Sequence, residues 1–275
     1  MSVDPRRVLR IAHITDLHVQ PEKGAMAGMQ RCLEHAQAQK PDLLMMGGDM
    51  VMDCLETPRE RVEVQWDSYS SVLSSHARTP VKHVIGNHDI WTGPEGTERG
   101  YALDRLGIES SYYSFDQAGW HLVVLDSTFL IPGGYTAKLD EAQFKWLEED
   151  LKSAQNTPVA VFSHIPILSA CAFLDGDNEA TGDWRVPGAW MHIDVRRIKA
   201  LFRLYPNIKA CFSGHIHLVE RVDYLGISYY CNGAACGAWW NGPFQEFDAG
   251  YGIIDLYADG SLENNYLTFG WTPVP

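Results

Sequence analysis

A chain of 275 residues, 45% of them hydrophobic, can bury a substantial core, and its formal charge of −13 at pH 7 argues against a nucleic-acid backbone or an anionic membrane as main partner. No apolar run approaches the roughly 20 residues that span a bilayer, the start MSVDPRRVLRIAHI carries no signal-peptide cleavage pattern, and the six cysteines (Cys32, Cys54, Cys171, Cys211, Cys231, Cys236) form no CxxC pair. The expectation is a soluble, cytoplasmic protein with reduced thiols, no nucleic-acid-binding surface and no membrane segment, in which an anionic substrate would need concentrated positive charge such as bound metal.

In chain order, VLRIAHIT (Val8 to Thr15) reads as a strand, GMQRCLEHAQAQ (Gly28 to Gln39) as a helix and DLLMMGG (Asp42 to Gly48) as the next strand. RERVEVQWDSYSSVLSS (Arg59 to Ser75) has helical spacing and leads into the strand VKHVIG (Val81 to Gly86). SYYSFDQAGWHLVVLDS (Ser111 to Ser127) reads as a hairpin turned at Asp116 to Gly119. LDEAQFKWLEEDLKSA (Leu139 to Ala154) is an amphipathic helix with Asp140 as N-cap, followed by the strand TPVAVFSH. DVRRIKALFRLY (Asp194 to Tyr205) is a helix capped by Asp194 and stopped by Pro206, and IKACFSG is again a strand. The tail reads as hairpins with turns at Tyr224 to Gly226 and Ala258 to Gly260. The βα alternation predicts an α/β sheet covered by helices, and with no linker or low-complexity tract we expect one domain over residues 1–275. The aperiodic stretch from Leu168 to Trp190 is either a surface excursion with buried aromatic anchors or a substrate-facing loop.

Five short motifs fall at the carboxyl ends of predicted strands: TDLH (Asp16, His18), GGD (Asp49), GNHD (Asn87, His88), SHIP (His164) and SGHIH (His215, His217). In an open α/β sheet the loops beyond those ends converge on the ligand crevice, so the five should meet. A lone histidine at a strand end is most often structural, and GD occurs by chance; the ordered set is what carries weight. Two aspartates, an asparagine carbonyl and four histidines suit Zn, Fe or Mn better than Ca, which wants oxygen alone. Seven ligands exceed one ion, whereas two ions sharing a carboxylate account for all of them, and metal pairs about 3.5–4 Å apart serve in-line displacement at phosphorus. His13, His35, His76, His83, His121 and His192 lack such company and are expected to be structural or surface residues.

These residues resemble the calcineurin-like metallophosphoesterases, whose signature DxH, GD, GNHD or GNHE, H and GHxH recurs here as Asp16-Leu17-His18, Gly48-Asp49, Gly86-Asn87-His88-Asp89, His164 and Gly214-His215-Ile216-His217. The resemblance implies a four-layer α/β/β/α sandwich with two packed mixed β-sheets and a dinuclear metal centre at one edge. It implies Asp16, His18, Asp49 and His217 on one ion, and Asp49, Asn87, His164 and His215 on the other, with Asp49 bridging. The sequence departs from the Ser/Thr phosphatases of that family at GDMVMD, where Met52 stands in the place of their second aspartate and Asp53 follows one position later. NGAACGAWWNGP is similar to a segment of small bacterial members of a phosphodiesterase-like branch, and of Trp239 and Trp240 at least one is expected in the core.

The implied activity is a metal-dependent phosphoric ester hydrolase using two divalent or mixed-valence ions (Fe, Mn or Zn) and a metal-bridging hydroxide attacking in line on a small-molecule phosphate ester. His88 would stabilise the transition state or protonate the departing alkoxide, and Asp89 either orients that imidazole or braces the loop. Phosphodiesters, nucleotides among them, are the favoured substrates. The alternative is a phosphomonoesterase with the same site, a small-molecule or phosphoprotein phosphatase whose substrate's extra charge Arg185 could meet, with Asn87 and His88 also touching the ester. A non-catalytic metal-binding scaffold is the remaining reading. Oligomeric state is open at this stage.

Overall fold

The computed structural model describes residues 7–93, 95–174 and 180–274. Strands β1 (Arg7–Ile14), β2 (Leu43–Met46) and β3 (Val81–His83) run parallel and are linked by helices α1 (Ala25–Ala38) and α2 (Arg59–His76). After a short helix α3 (Gly100–Leu106) come the antiparallel β4 (Tyr113–Gln117) and β5 (Trp120–Leu125), and a small separate hairpin, β6 (Thr128–Ile131) with β7 (Gly134–Ala137). Helix α4 (Glu141–Ser153), β8 (Val159–Ser163), α5 (Val195–Phe202) and β9 (Ile208–Ser213) follow, then the hairpins β10 (Val219–Tyr224) with β11 (Ile227–Asn232) and β12 (Gly250–Tyr257) with β13 (Leu262–Thr268). Two mixed sheets result, ordered β13-β12-β1-β2-β3 and β10-β11-β9-β8-β5-β4.

Side chains alternate across a strand, and here each alternation splits between two apolar layers. Leu9 and Ile11 of β1, with Leu43 and Met45 of β2, meet Leu122, Val124, Phe162 and Phe212 of the other sheet. Their neighbours Ala12, Ile14, Leu44 and Met46 face Met29 and Leu33 of α1 and Val62, Trp66 and Tyr69 of α2. On the far side Val123, Leu125, Val159 and Val161 pack on Phe144, Leu147 and Leu151 of α4 and on Ile198 and Phe202 of α5. The order of layers is therefore helix, sheet, sheet, helix, the four-layer sandwich expected.

Most predicted elements are present within a residue or three of their expected bounds. Asp140 caps α4 as expected, its side chain accepting from Gln143 N at 2.7 Å. Asp194 caps α5 through its carbonyl, which accepts from Arg197 N (2.8 Å) and Ile198 N (3.1 Å), while its carboxylate accepts from Leu139 N at 3.0 Å and pairs with His192 Nδ1 at 2.9 Å instead of bonding into the helix. Helix α3 and the β6–β7 hairpin were not expected from the sequence pattern. Of the Leu168 to Trp190 stretch, residues 175–179 lie outside the described residues; Cys171–Leu174 form one helical turn, and Trp190 reaches the site described next.

Candidate metal centre

All five motifs follow parallel strands at one rim: Asp16 and His18 after β1, Asp49 after β2, the Asn87–Asp89 turn after β3, His164 after β8, and His215 and His217 after β9. The chain reverses there through left-handed backbone, with φ 54° at Asp16, 43° at His18, 53° at Asp49, 72° at His215 and 56° at His217. For a residue with a Cβ that conformation costs of order 1–3 kcal/mol, and it persists only where the surroundings fix it. They do: Asp16 N donates to Gly48 O (3.0 Å), His18 N to Asp49 O (2.9 Å) and Cys236 N to Asp16 O (3.1 Å). Glycines precede three of the motifs because nothing larger fits. A Cβ on Gly214 would stand 2.2 Å from Asp16 Oδ2, and one on Gly86 2.2 Å from Asp49 Oδ1.

Asp16 and Asp49 are buried, and their ion-pair partners among the described residues are all histidines. Asp49 Oδ2 lies 3.0 Å from His164 Nε2, 3.6 Å from His18 Nε2 and 4.0 Å from His88 Nε2. Asp16 Oδ1 lies 3.4 Å from His217 Nε2, 3.9 Å from His164 Nε2 and 4.0 Å from His18 Nε2. His215 joins through Asp49 and His164, the three offering ligand atoms within 4.8 Å of one another. The structure thus brings together the aspartates and histidines that the motifs place at the metals, with Asn87 buried in the turn whose next residue, His88, donates its N–H to Asp49 Oδ1 at 2.9 Å.

The rings are held from behind. Nδ1 of His164 donates to Gly47 O at 2.9 Å and Nδ1 of His217 to Gly237 O at 2.8 Å, while His18 Nδ1 faces Met52 O at 3.4 Å. Such outer contacts leave the Nε2 lone pair facing inward as a metal ligand. Among the described residues, His18 Nε2, His164 Nε2 and both side-chain polar atoms of Asn87 are buried without a hydrogen-bond partner, His164 Nε2 lying 3.0 Å from Asp49 Oδ2 as an ion pair. Buried groups of this kind are costly unless something satisfies them, and an oxygen-and-imidazole donor set fits Zn, Fe or Mn.

Electrostatics point the same way. Burial works against the charge on Asp16 and Asp49, yet the neighbouring histidines hold both carboxyls below the usual range. Burial lowers His18 and His215 to about 3, so both rings are neutral. His164 is drawn up to about 10 by Asp49 and Asp16 against its own burial. The cluster is a pair of ionised carboxylates balanced by the protonated His164 ring, a positive charge that bound cations would replace.

His88 stands beside the cluster. Its burial is outweighed by Asp49 and Asp53, which push the imidazole up to about 9, and Asp53 Oδ1 is 3.2 Å from His88 Nδ1. The carboxylate facing His88 is therefore Asp53. Of the two roles open for Asp89, it takes the brace: it accepts from Asp49 N (2.9 Å), Met50 N (2.8 Å) and Gly86 N (2.8 Å), tying together the Asp49 and Gly86 loops. Those amides are the nearest donors it has, so its lone pairs are spent away from the imidazole.

A cavity of about 190 Å3 opens over the cluster, walled by Tyr135, Trp190, Trp239 and Phe244 besides the histidines. Trp239 stacks near His217 (4.7 Å between ring centroids), whereas Trp240 is 1% exposed and donates from Nε1 to Leu17 O at 2.8 Å, the core position expected for one of the pair. Arg185 does not line the cavity: its side chain is 85% exposed and 3.9 Å from Asp183, so the sequence-based substrate contact is not brought to the site. Tyr135 and Phe244 are cavity residues that the sequence reading missed, and Tyr135 had a signal. Its signal was PGG between the short β-rich runs TFLI and GYTA, a hairpin pattern. Cys236 lies near His18 and His217 but behind the ring, its thiol donating to the Gly237 carbonyl that also takes His217 Nδ1.

Residues 9–219 match the family described as calcineurin-like phosphoesterase. Over 276 aligned residues the chain is 26% identical to a 3',5'-cyclic-nucleotide phosphodiesterase of Nostoc sp., covering 92% of this chain and 90% of that protein. It is 28% identical to the serine/threonine-protein phosphatase CPPED1 of Danio rerio over 65% of this chain and 54% of that one, so it spans about half of that relative's length. Among solved structures, a dimetal phosphatase from Danio rerio superposes with TM-score 0.69 at 15% identity, covering 96% of this chain and 100% of that one. A purple acid phosphatase from yellow lupin gives 0.65 at 15% identity, over 97% of this chain and 52% of that one. At such identities these two share the fold. Among the described residues no helix is long and apolar enough to cross a membrane.

Proposed function

The chain belongs to the calcineurin-like phosphoesterases, metal-dependent hydrolases of phosphate esters, and on that premise we propose that it hydrolyses phosphodiesters at a site for two metal ions. Asp16, His18, Asp49 and His217 would hold one ion; Asp49, Asn87, His164 and His215 the other. The observation that carries this reading is that His18 Nε2 and His164 Nε2, beside two buried ionised carboxylates, and the buried Asn87 Oδ1 lack hydrogen-bond partners among the described residues. When bound, the two cations offset the charge of the phosphoryl oxygens and lower the pKa of water toward neutrality.

The chain's own residues do the rest. Hydrolysis forms a P–O bond from a water oxygen, breaks the P–O bond to the leaving alcohol and transfers one water proton, in net, to that alcohol. His88, with Asp53 at Nδ1, presents Nε2 4.0 Å from Asp49 and holds the proton that the departing alkoxide takes. Asp89 keeps the Asp49 and Gly86 loops in register, and the backbone bonds behind His164 and His217 aim their rings.

Diesters are favoured because the described lining of the cavity offers aromatic faces and no lysine or arginine to offset the second charge of a monoester. The name of the Nostoc relative supports a diester; that of the zebrafish relative supports a phosphoprotein monoester, the second reading. The test is turnover of bis-p-nitrophenyl phosphate and p-nitrophenyl phosphate by protein loaded with Mn or Zn, alongside elemental analysis. We expect two metal equivalents and a diester preference of at least about tenfold; a reversed preference makes the enzyme a monoesterase, and no turnover of either supports a scaffold.

A further inference from the structure

A groove of about 560 Å3 lies beside the metal cluster, separate from the smaller cavity above it, with Leu55, Glu56, Trp91, Glu98, Leu130 and Gly134 in its walls. Two features join it to the site on the His88 side. Leu130 of the groove is paired with Tyr135 of the cavity across the β6–β7 hairpin, and cross-strand partners share a face. The other feature is the pair of turns that bracket His88. Cys54 N donates to His88 O (2.9 Å), which sets Leu55 and Glu56 next to the imidazole's own turn. Glu56 N donates to Thr92 Oγ1 (3.1 Å), and Trp91 and Glu98 exchange backbone bonds of 3.1 and 2.9 Å. These contacts place the groove next to the turn that carries His88.

The groove's charge is one-sided. Its described lining holds the carboxylates of Glu56 and Glu98 and no lysine or arginine. The arginines of the adjoining segments are engaged elsewhere: Arg59 with Glu63 and Glu95, Arg61 with Glu22, and Arg99 with Asp126 and Thr128 O. Acidic groups on apolar walls repel a leaving group that carries a phosphate or carboxylate and attract one that carries an ammonium.

Resting on the phosphodiesterase reading, we propose that this groove is the leaving-group subsite and that Glu56 and Glu98 select a positively charged alcohol, an amino or quaternary-ammonium alcohol. Both carboxylates are exposed at the rim, so each acts with the strength of a surface ion pair and together they give about tenfold selectivity. The test compares kcat/KM for the methyl phosphodiesters of choline and of its uncharged isostere 3,3-dimethylbutanol, with the released alcohol quantified. The metal-loaded proteins compared are wild type, Glu56→Gln/Glu98→Gln, and a control, Glu148→Gln/Glu149→Gln, that removes as much charge from exposed α4. The choline-to-isostere ratio is expected to fall about tenfold in the groove variant and to stay at the wild-type value in the control. An unchanged ratio in the groove variant, or an equal fall in the control, overturns the subsite while diester turnover leaves the phosphodiesterase reading standing. If metal-loaded wild type turns over neither these diesters nor bis-p-nitrophenyl phosphate, both readings fall.

Discussion

Two clusters of imidazole and carboxylate lie at opposite ends of the strands, and their difference shows what separates a brace from a site. Near the amino end of β5, His121 places Nδ1 2.7 Å from Asp116 and Nε2 2.9 Å from Asp150, whose other oxygen accepts from Ser114 Oγ at 2.7 Å. Both ring nitrogens are satisfied. At the carboxyl ends, His18 and His164 keep Nε2 atoms without a hydrogen-bond partner among the described residues, and five site residues sit in left-handed backbone. The same side chains therefore make a closed clasp in one place and an open set of ligands in the other. Composition does not distinguish them; unspent lone pairs and locally stored strain do.

The contrast breaks most sharply on one carboxylate from each cluster. Asp49→Ala removes the proposed bridge and is expected to strip both ions and abolish turnover, a loss beyond the about 10–100-fold in metal affinity that an outer contact costs. Asp150→Ala should leave the metal content at the wild-type value and only lower stability. Elemental analysis after desalting reads both. One tightly held ion in Asp49→Ala would take that residue out of the bridging position.

Next in size is the separation of ligands from the proton donor. His88→Ala is expected to keep its metals and lose about 10²–10⁴-fold in kcat, the usual worth of general acid catalysis. If metal content falls with activity, His88 belongs among the ligands. The two nearby carboxylates should then part company: Asp53→Asn weakens kcat with little change in Tm, and Asp89→Asn lowers Tm because it disturbs the acceptor of four loop amides.

How far the sequence carried the reading follows from the kind of signal each residue has. Asp16, His18, Asp49, Asn87, His164, His215 and His217 were legible because each sits one to four residues beyond a strand that its own alternation predicts. Asp140 was legible because a cap is a local matter, decided within one turn. Asp194 was legible as the cap residue of α5 but not in its side chain, for the converse reason: its carboxylate is taken by Leu139 and His192, the first 55 residues away in the chain. Of the two readings open for Asp89, adjacency to His88 pointed to orienting the ring and the loop to bracing it; the reversal after β3 turns its carboxylate to the Asp49 loop and leaves Asp53, which the sequence did not offer for this, facing the ring. Tyr135 stayed hidden in a hairpin whose four-residue strands are too short for periodicity to show.

The smallest effect concerns the closed cluster and is one of pH. The bond to Asp150, then that to Asp116, raises His121 above its ordinary value against its partial burial. An exposed histidine in the unfolded chain titrates near pH 6.5, so below that pH both states bind the proton and the stabilisation is complete. As pH rises through the higher folded value, the folded state loses its proton too, and the stabilisation is lost. Asp116 is 78% exposed, so solvent screens part of the attraction and the whole effect is about 1 kcal/mol or less. The measurement is the difference in urea-unfolding free energy between wild type and His121→Gln, taken from about pH 5.5 to about pH 9. It should be largest at the acid end and shrink steadily upward. A difference that holds constant would mean that the clasp works through neutral hydrogen bonds alone, and then satisfaction by a proton would no longer be what sets it apart from a cluster built for cations.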